Sequence, residues 1–182
     1  MFARTDRLLL RPGFPEDSKA LTRAIADERI VRNLATAPWP YTEEHAQAFL
    51  TQKRDPILPS MLILERTEGE PRLVGACGLG RRPSGLVELG YWIARPFWGR
   101  GFATEASTAV IDIARTLGLP QLEATHFLDN PASGRVLEKL GFKPLGITSW
   151  RESCARRGEA AVRLFRMELA GPEVETQGAL AA

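Results

Sequence analysis

The chain has 182 residues, 44% of them hydrophobic and 25% charged, and a formal net charge of +2 at pH 7. These values predict one globular domain and give no support for a nucleic-acid partner. No apolar run approaches the roughly 18 residues of a membrane span, and two distant cysteines exclude a disulfide framework. Because the N-terminus has no signal-peptide core, we expect a cytoplasmic protein.

The spacing of apolar residues predicts strands and helices in the order β-α-α-β-β-β-α-β-α-β-β. Thr42 is a typical N-cap of the second helix. The predicted elements are a strand over 8–11, helices over 15–29 and 42–53, strands over 61–65, 73–80 and 86–94, a helix over 105–117, a strand over 122–127, a helix over 131–140, and strands over 143–150 and 161–169. This order predicts a mixed α/β sheet. We expect the domain to cover residues 1–170 and residues 171–182 to form a disordered tail.

The segment between the strand at 86–94 and the helix at 105–117 predicts an anion-binding turn. Gly99 and Gly101 let the backbone approach a ligand closely, and Arg100 adds a cation. Backbone N–H groups ahead of a helix, together with the helix dipole, bind phosphate or pyrophosphate. A plain structural turn explains the same glycines. A P-loop is excluded by the absent Gly-Lys-Ser/Thr, and Thr104 stands where a dinucleotide fingerprint needs glycine.

A second motif follows the strand at 122–127. Asn130 is a suitable N-cap, Pro131 occupies the first helical position, and Gly141 ends the helix. This helix and the glycine turn resemble the GNAT superfamily of acyl-CoA-dependent N-acetyltransferases, in particular the branch that acetylates ribosomal-protein N-termini. The resemblance rests on three blocks: Arg7–Pro12, Gly90–Ala106 and Asn130–Phe142.

The resemblance implies a single-domain, mostly antiparallel sheet flanked by helices, splayed between the strands at 87–94 and 122–127. It also implies acetyl-CoA as co-substrate, no metal, and a dimer as one possible assembly. Trp98 departs from the superfamily's loop pattern, which has a polar residue there. The implied cofactor-binding residues are Trp92, Ile93, Ala94, Gly99, Arg100, Gly101, Phe102, Ala103, Thr104 and Asn130.

Two residues are candidates for catalysis by direct attack of an amine on the thioester. Glu88 lies in an otherwise apolar strand, where burial would raise its pKa toward that of a useful base. An ion pair with a neighbouring arginine, or a position on a solvated face, is the alternative. Ser133 resembles the serine proposed as acid in the ribosomal-protein branch, and a hydroxyl that serves only the first helical turn is the alternative. His126 is a second candidate base or a core histidine.

The acceptor is the weakest part of the sequence prediction. Trp39, Tyr41 and Tyr91 are candidates to line its pocket, and a protein N-terminus or a small amine is the expected substrate. A polyamine or antibiotic would call for several acidic residues, of which Glu43, Glu44 and Glu88 are available. A non-catalytic acyl-CoA-binding module is the alternative function.

Overall fold

One eight-stranded β-sheet carries the fold, with helices on both of its faces. The computed structural model describes residues 1–82 and 84–169. Within these ranges the strands are β1 (Ala3–Arg4), β2 (Leu8–Arg11), β3 (Ser60–Glu65), β4 (Arg72–Arg81), β5 (Val87–Ile93), β6 (Gln121–Phe127), β7 (Lys143–Ser153) and β8 (Gly158–Glu168). The α-helices are α1 (Ser18–Ile25), α2 (Glu28–Val31), α3 (Glu43–Thr51), α4 (Phe102–Thr116) and α5 (Pro131–Leu140).

The strands follow the spatial order β1-β2-β3-β4-β5-β6-β8-β7. Every neighbouring pair is antiparallel except β5 and β6, which are parallel. This confirms the predicted mixed, mostly antiparallel sheet. The predicted domain end at residue 170 and the predicted tail over 171–182 lie outside the described residues.

The sheet splays between β5 and β6, as the resemblance implied. A single residue pair, Glu88 with Glu123, joins the two strands at their amino-terminal ends. By contrast, every residue of β5 from Val87 to Ile93 pairs with β4, and β6 pairs with β8 from Gln121 to Phe127. The splay therefore opens a gap toward the carboxyl ends of β5 and β6.

Alternating residues of the sheet bury two separate cores. Leu89 and Ile93 of β5 belong to the core under α4 and α5, whereas Trp92 packs against the core under α1, α2 and α3. Because successive side chains of a strand point to opposite faces, β5 contributes to both. We call these the α4 face and the α1 face of the sheet.

Local sequence explains where α4 begins and where α5 begins and ends. Gly101 precedes α4 with a φ of 80°, and Gly141 ends α5 with a φ of 94°, conformations that favour glycine. The Asn130 side chain accepts a hydrogen bond from the Ser133 N–H at 3.4 Å, which caps α5 as predicted.

Several predicted element boundaries are wrong. Strand β7 continues three residues past the predicted end at 150, and β8 begins three residues before the predicted start at 161. The helix expected over 15–29 begins with a short 3-10 turn, stops at Ile25 and restarts as α2, because the Asp27 carboxylate accepts a hydrogen bond from the Arg29 N–H at 2.9 Å and caps a new helix. Helix α4 begins three residues before the predicted Glu105. Among the described helices, none is both long and apolar enough to cross a membrane.

Candidate active site

The gap between β5 and β6 is continuous with a cavity of about 530 Å³. Residues 88–93 of β5 and 125–127 of β6 form two of its walls, and the first turns of α4 and α5 form others. A segment after α1, from Arg29 to Ala35, lines the side on the α1 face. The cavity therefore reaches both faces of the sheet through the splay.

An amide cradle lines one end of this cavity. Among the hydrogen bonds of the described residues, none uses the backbone N–H of the residues from Gly99 to Thr104; the first paired one is that of Glu105, which donates to the Gly101 carbonyl at 3.0 Å. Gly99 and Gly101 have φ values of 75° and 80°. Six consecutive N–H groups at a helix N-terminus suit an anion, so the segment fits the pyrophosphate of an acyl-CoA.

Two residues predicted to bind the cofactor do not present the expected groups. The Arg100 guanidinium donates to Glu65 at 2.6 Å, and Arg100 is not among the residues that line the cavity. Ala94 is buried, and its N–H donates to the Val74 carbonyl at 2.8 Å, which leaves that donor occupied. The other predicted cofactor contacts, including Trp92, Ile93 and Asn130, line the cavity.

Trp98, the departure from the superfamily pattern, fixes the loop to the end of β5. Its indole N–H donates to the Ile93 carbonyl at 2.6 Å, while 48% of the residue surface stays exposed. The indole thus supplies a structural hydrogen bond where the common pattern has a polar side chain.

Tyr91 and Ser133 meet on the α4 face of the cavity. The Tyr91 phenol lies 2.8 Å from the Ser133 hydroxyl oxygen and 3.1 Å from the Ser133 carbonyl oxygen. Burial raises the pKa of Tyr91 to about 12, against the opposing effect of the Ser133 hydrogen bond. Tyr91 lines the cavity beside Ser133, the candidate acid.

Glu88 lies at the root of the splay and is held by three other side chains. Arg151 donates to its two oxygens at 2.6 and 2.8 Å, Arg82 donates at 3.1 and 3.2 Å, and the Thr125 hydroxyl donates at 2.8 Å. Burial alone would raise the pKa of Glu88, but the hydrogen bond and charge of Arg151, with Arg82 and Thr125, hold it below its usual value. The predicted rise in pKa is therefore wrong, and the alternative of an arginine pair is confirmed.

His126 is buried against α5. Its Nδ1 lies 2.8 Å from the Phe127 carbonyl oxygen, which can only accept, so Nδ1 donates this hydrogen bond. A Cβ at Gly134 would lie 2.8 Å from Nε2, so α5 approaches this closely only because residue 134 is glycine.

The other residues predicted to line the acceptor pocket lie away from this cavity. Tyr41 is buried in the core of the α1 face, and neither Tyr41 nor Trp39 is among the cavity's lining residues. Glu43 accepts a hydrogen bond from Ser18 at 3.1 Å, and it does not line the cavity either. In residues 1–82 and 84–169 no group of three side chains has a metal-binding arrangement.

The splayed sheet and the amide cradle define the class of the protein: they are the fold of the GNAT acetyltransferases. A sequence profile of the acetyltransferase (GNAT) domain matches residues 7–143, more than half of the chain. The chain therefore belongs to the GNAT acetyltransferase family, and it is an enzyme of the N-acetyltransferase type.

Curated relatives and solved structures agree with this assignment. The chain is 28% identical over 151 residues to the N-acetyltransferase p20 of Bacillus licheniformis, covering 79% of this chain and 83% of that protein. A GNAT-family acetyltransferase from Bacillus anthracis superposes with a TM-score of 0.75 at 22% identity, covering 92% and 98% of the two chains. RimL, the ribosomal L7/L12 α-N-protein acetyltransferase, superposes with a TM-score of 0.76 at 15% identity, covering 93% of this chain and 98% of the RimL chain. At these identities the solved structures show the fold alone.

Proposed function

We propose that this protein transfers the acetyl group of acetyl-CoA to a primary amine by direct attack, without a covalent enzyme intermediate. The observation that carries the proposal is the row of six unpaired N–H groups from Gly99 to Thr104 at one end of a cavity that passes through the sheet. One end of the cavity thus suits the pyrophosphate of acetyl-CoA, and the other end, on the α1 face, leaves a path for the acceptor amine.

Named parts of the cavity would hold the donor. The N–H groups of Gly99–Thr104 would bind the pyrophosphate, the splay beside Trp92 and Ile93 would receive the pantetheine arm, and Asn130 and Ser133 would lie near its thioester end. When bound, acetyl-CoA supplies an activated acetyl thioester. A backbone N–H directed at the developing oxyanion stabilises the transition state of acyl transfer by about 3 kcal/mol.

The sheet separates the two candidate catalytic side chains. Glu88 and Thr125 bond to each other on the α1 face, whereas Tyr91 and Ser133 bond to each other on the α4 face. Ser133 would therefore act on the leaving sulfur. Glu88 would lie on the amine side. Because it is paired with Arg151, its expected role is to shape the path of the amine, not to act as a free base.

The charges of the cavity support an α-amine as acceptor. Among the described residues that line the cavity, Glu88 is the single carboxylate, and two arginines compensate its charge. A polycation would gain little there. An α-amine with a pKa near 7.8 is about 30% neutral at pH 7.4, whereas an alkyl amine near 10.4 is about 0.1% neutral, so the first depends far less on a base.

Two measurements test the proposal in sequence. Thermal unfolding with acetyl-CoA, with ATP and NAD as controls, should show stabilisation by acetyl-CoA alone, worth about 2.7 kcal/mol at 100 times its Kd. Thiol release should then be measured with peptides that have a free N-terminus, with the same peptides blocked at the N-terminus but carrying a lysine, and with spermidine. Binding without transfer to any of these amines would favour the non-catalytic acyl-CoA module.

A further inference from the structure

The hydrogen bonds between Tyr91 and Ser133 admit two arrangements. In the first, the phenol donates to the Ser133 carbonyl at 3.1 Å and the Ser133 hydroxyl donates back to the phenol oxygen at 2.8 Å. In the second, the phenol donates to the Ser133 hydroxyl oxygen across the same 2.8 Å. A phenol has one hydrogen, so the two arrangements exclude each other.

These arrangements differ in what Ser133 offers to the cavity. In the first, the Ser133 hydroxyl hydrogen is donated to the Tyr91 oxygen. In the second, it is free to point into the cavity, which both side chains line. The Ser133 N–H is already bonded to Asn130 at 3.4 Å, so the backbone holds the serine in place while its hydroxyl turns.

We propose that Tyr91 is a positioning residue that directs the Ser133 hydroxyl hydrogen toward the leaving sulfur of the thioester. This inference rests on the proposed function. An electron-rich sulfur favours the second arrangement, because Ser133 then donates to it while the phenol donates to Ser133. Hydrogen bonds in such a chain polarise one another, which strengthens the outer one.

The step balances without a further reactant. The amine nitrogen forms a bond to the carbonyl carbon, the carbon–sulfur bond breaks, and its electron pair moves to sulfur. The nitrogen loses one proton and the sulfur gains one, so the products are the amide and the free thiol. Tyr91 and Ser133 keep their own hydrogens at the end of the cycle.

Tyr91 is suited to this role because it remains a donor across the working pH range. Burial raises the pKa of its phenol to about 12, so the hydrogen is present at neutral and moderately alkaline pH. The chain has only one other tyrosine, Tyr41, which is buried in the other core and does not line the cavity. Tyr41→Phe is therefore a matched control for the loss of a buried phenol hydroxyl.

The test uses the thiol of bound coenzyme A, which can be followed without turnover. Ultraviolet titration of the thiolate in the complex should give a lower thiol pKa in the wild type and in Tyr41→Phe than in Tyr91→Phe or Ser133→Ala. We expect kcat to fall about tenfold in Tyr91→Phe with the KM for acetyl-CoA unchanged. The Tyr91→Phe/Ser133→Ala double variant should be no slower than Ser133→Ala.

The outcomes separate this inference from the proposed function. An unchanged thiol pKa in Tyr91→Phe, or losses that add fully in the double variant, would overturn the role of Tyr91 while leaving the acetyltransferase proposal intact. Loss of coenzyme A binding by the wild type would instead remove the proposed function. A Ser133→Ala variant with wild-type kcat and thiol pKa would overturn the roles of both residues.

Discussion

The Arg151 guanidinium and the Glu88 carboxylate form a bidentate pair, with N–O distances of 2.6 and 2.8 Å. The two residues lie 63 positions apart, on β7 and β5. The pair therefore links the outer hairpin of the sheet to the root of the splay. With Arg82 and Thr125 included, Glu88 accepts five hydrogen bonds, where a carboxylate offers about four lone-pair sites.

We expect Glu88→Gln to lower kcat/KM by less than about tenfold at pH 8, because a saturated carboxylate has little capacity to take a proton from an amine. The pH profile of kcat/KM should keep its shape. General base catalysis contributes about 100-fold or more, so a loss of that size at pH 8, together with disappearance of the acid limb of the profile, would identify Glu88 as the base. Exposed Glu70→Gln is the control.

The same variant should change how stability depends on pH. The pKa of Glu88 lies below its usual value in the folded protein, so its stabilising effect is complete above the unfolded carboxyl pKa of about 4.3. It is lost as the pH falls through the lower, folded pKa. Urea unfolding should show Glu88→Gln to be about 1.5–3 kcal/mol less stable than wild type at pH 7, the size of a lost hydrogen bond to a charged group. The difference should shrink below pH 4; a constant difference would mean that the ionised pair is not its source.

Gly101→Asp should abolish acetyl-CoA binding, since it adds bulk and negative charge beside the six free N–H groups. The φ of 80° also makes a side chain unfavourable there by about 1–2 kcal/mol. Gly146→Asp is the control, because Gly146 lies on β7 with a φ of 70°, and a Cβ there would meet no atom of the described residues within 4 Å. Binding of acetyl-CoA is measured by calorimetry. Normal binding by a folded Gly101→Asp protein would mean that the pyrophosphate binds elsewhere.

Gly134→Ala should destabilise the protein, although alanine favours a helix by about 1 kcal/mol over glycine. Its Cβ would lie 2.8 Å from Nε2 of the buried His126, and overpacking costs about 1–3 kcal/mol. Denaturant unfolding should therefore show a net loss of up to about 2 kcal/mol. In a protein that already carries His126→Ala, Gly134→Ala should lower the free energy of unfolding by less than it does in the wild type. Equal losses in the two proteins would exclude the contact with His126 as the cause.

Local sequence patterns predicted most of the fold because each element beside the splay has its own signal. The apolar stripe of α4, the cap and proline of α5 and the glycines at both turns are contained within short segments. The break at Asp27 was missed because the apolar positions Leu21 and Ile25 do not show where α1 ends, whereas the Asp27 carboxylate caps a new helix.

The candidate site was predictable only in its local part. The cradle from Gly99 to Thr104 follows from neighbouring residues, whereas Arg151 reaches Glu88 across the two intervening strands β8 and β6, an arrangement that no local pattern specifies. The contact between Tyr91 and Ser133 spans 42 positions and depends on the packing of α5. The glycine at 134 marks a close approach of α5 to His126, and it gives no sign of the contact between Tyr91 and Ser133.

The single residue pair between β5 and β6 has a consequence for the kinetic order of the enzyme. Beyond Glu88 and Glu123 the backbone edges of the two strands face the cavity without pairing to each other. A pantetheine arm carries amide groups of its own, so it would lie between these edges as a surrogate strand. The amine path on the α1 face would then be completed by the donor itself, and we expect steady-state kinetics in which acetyl-CoA binds before the acceptor.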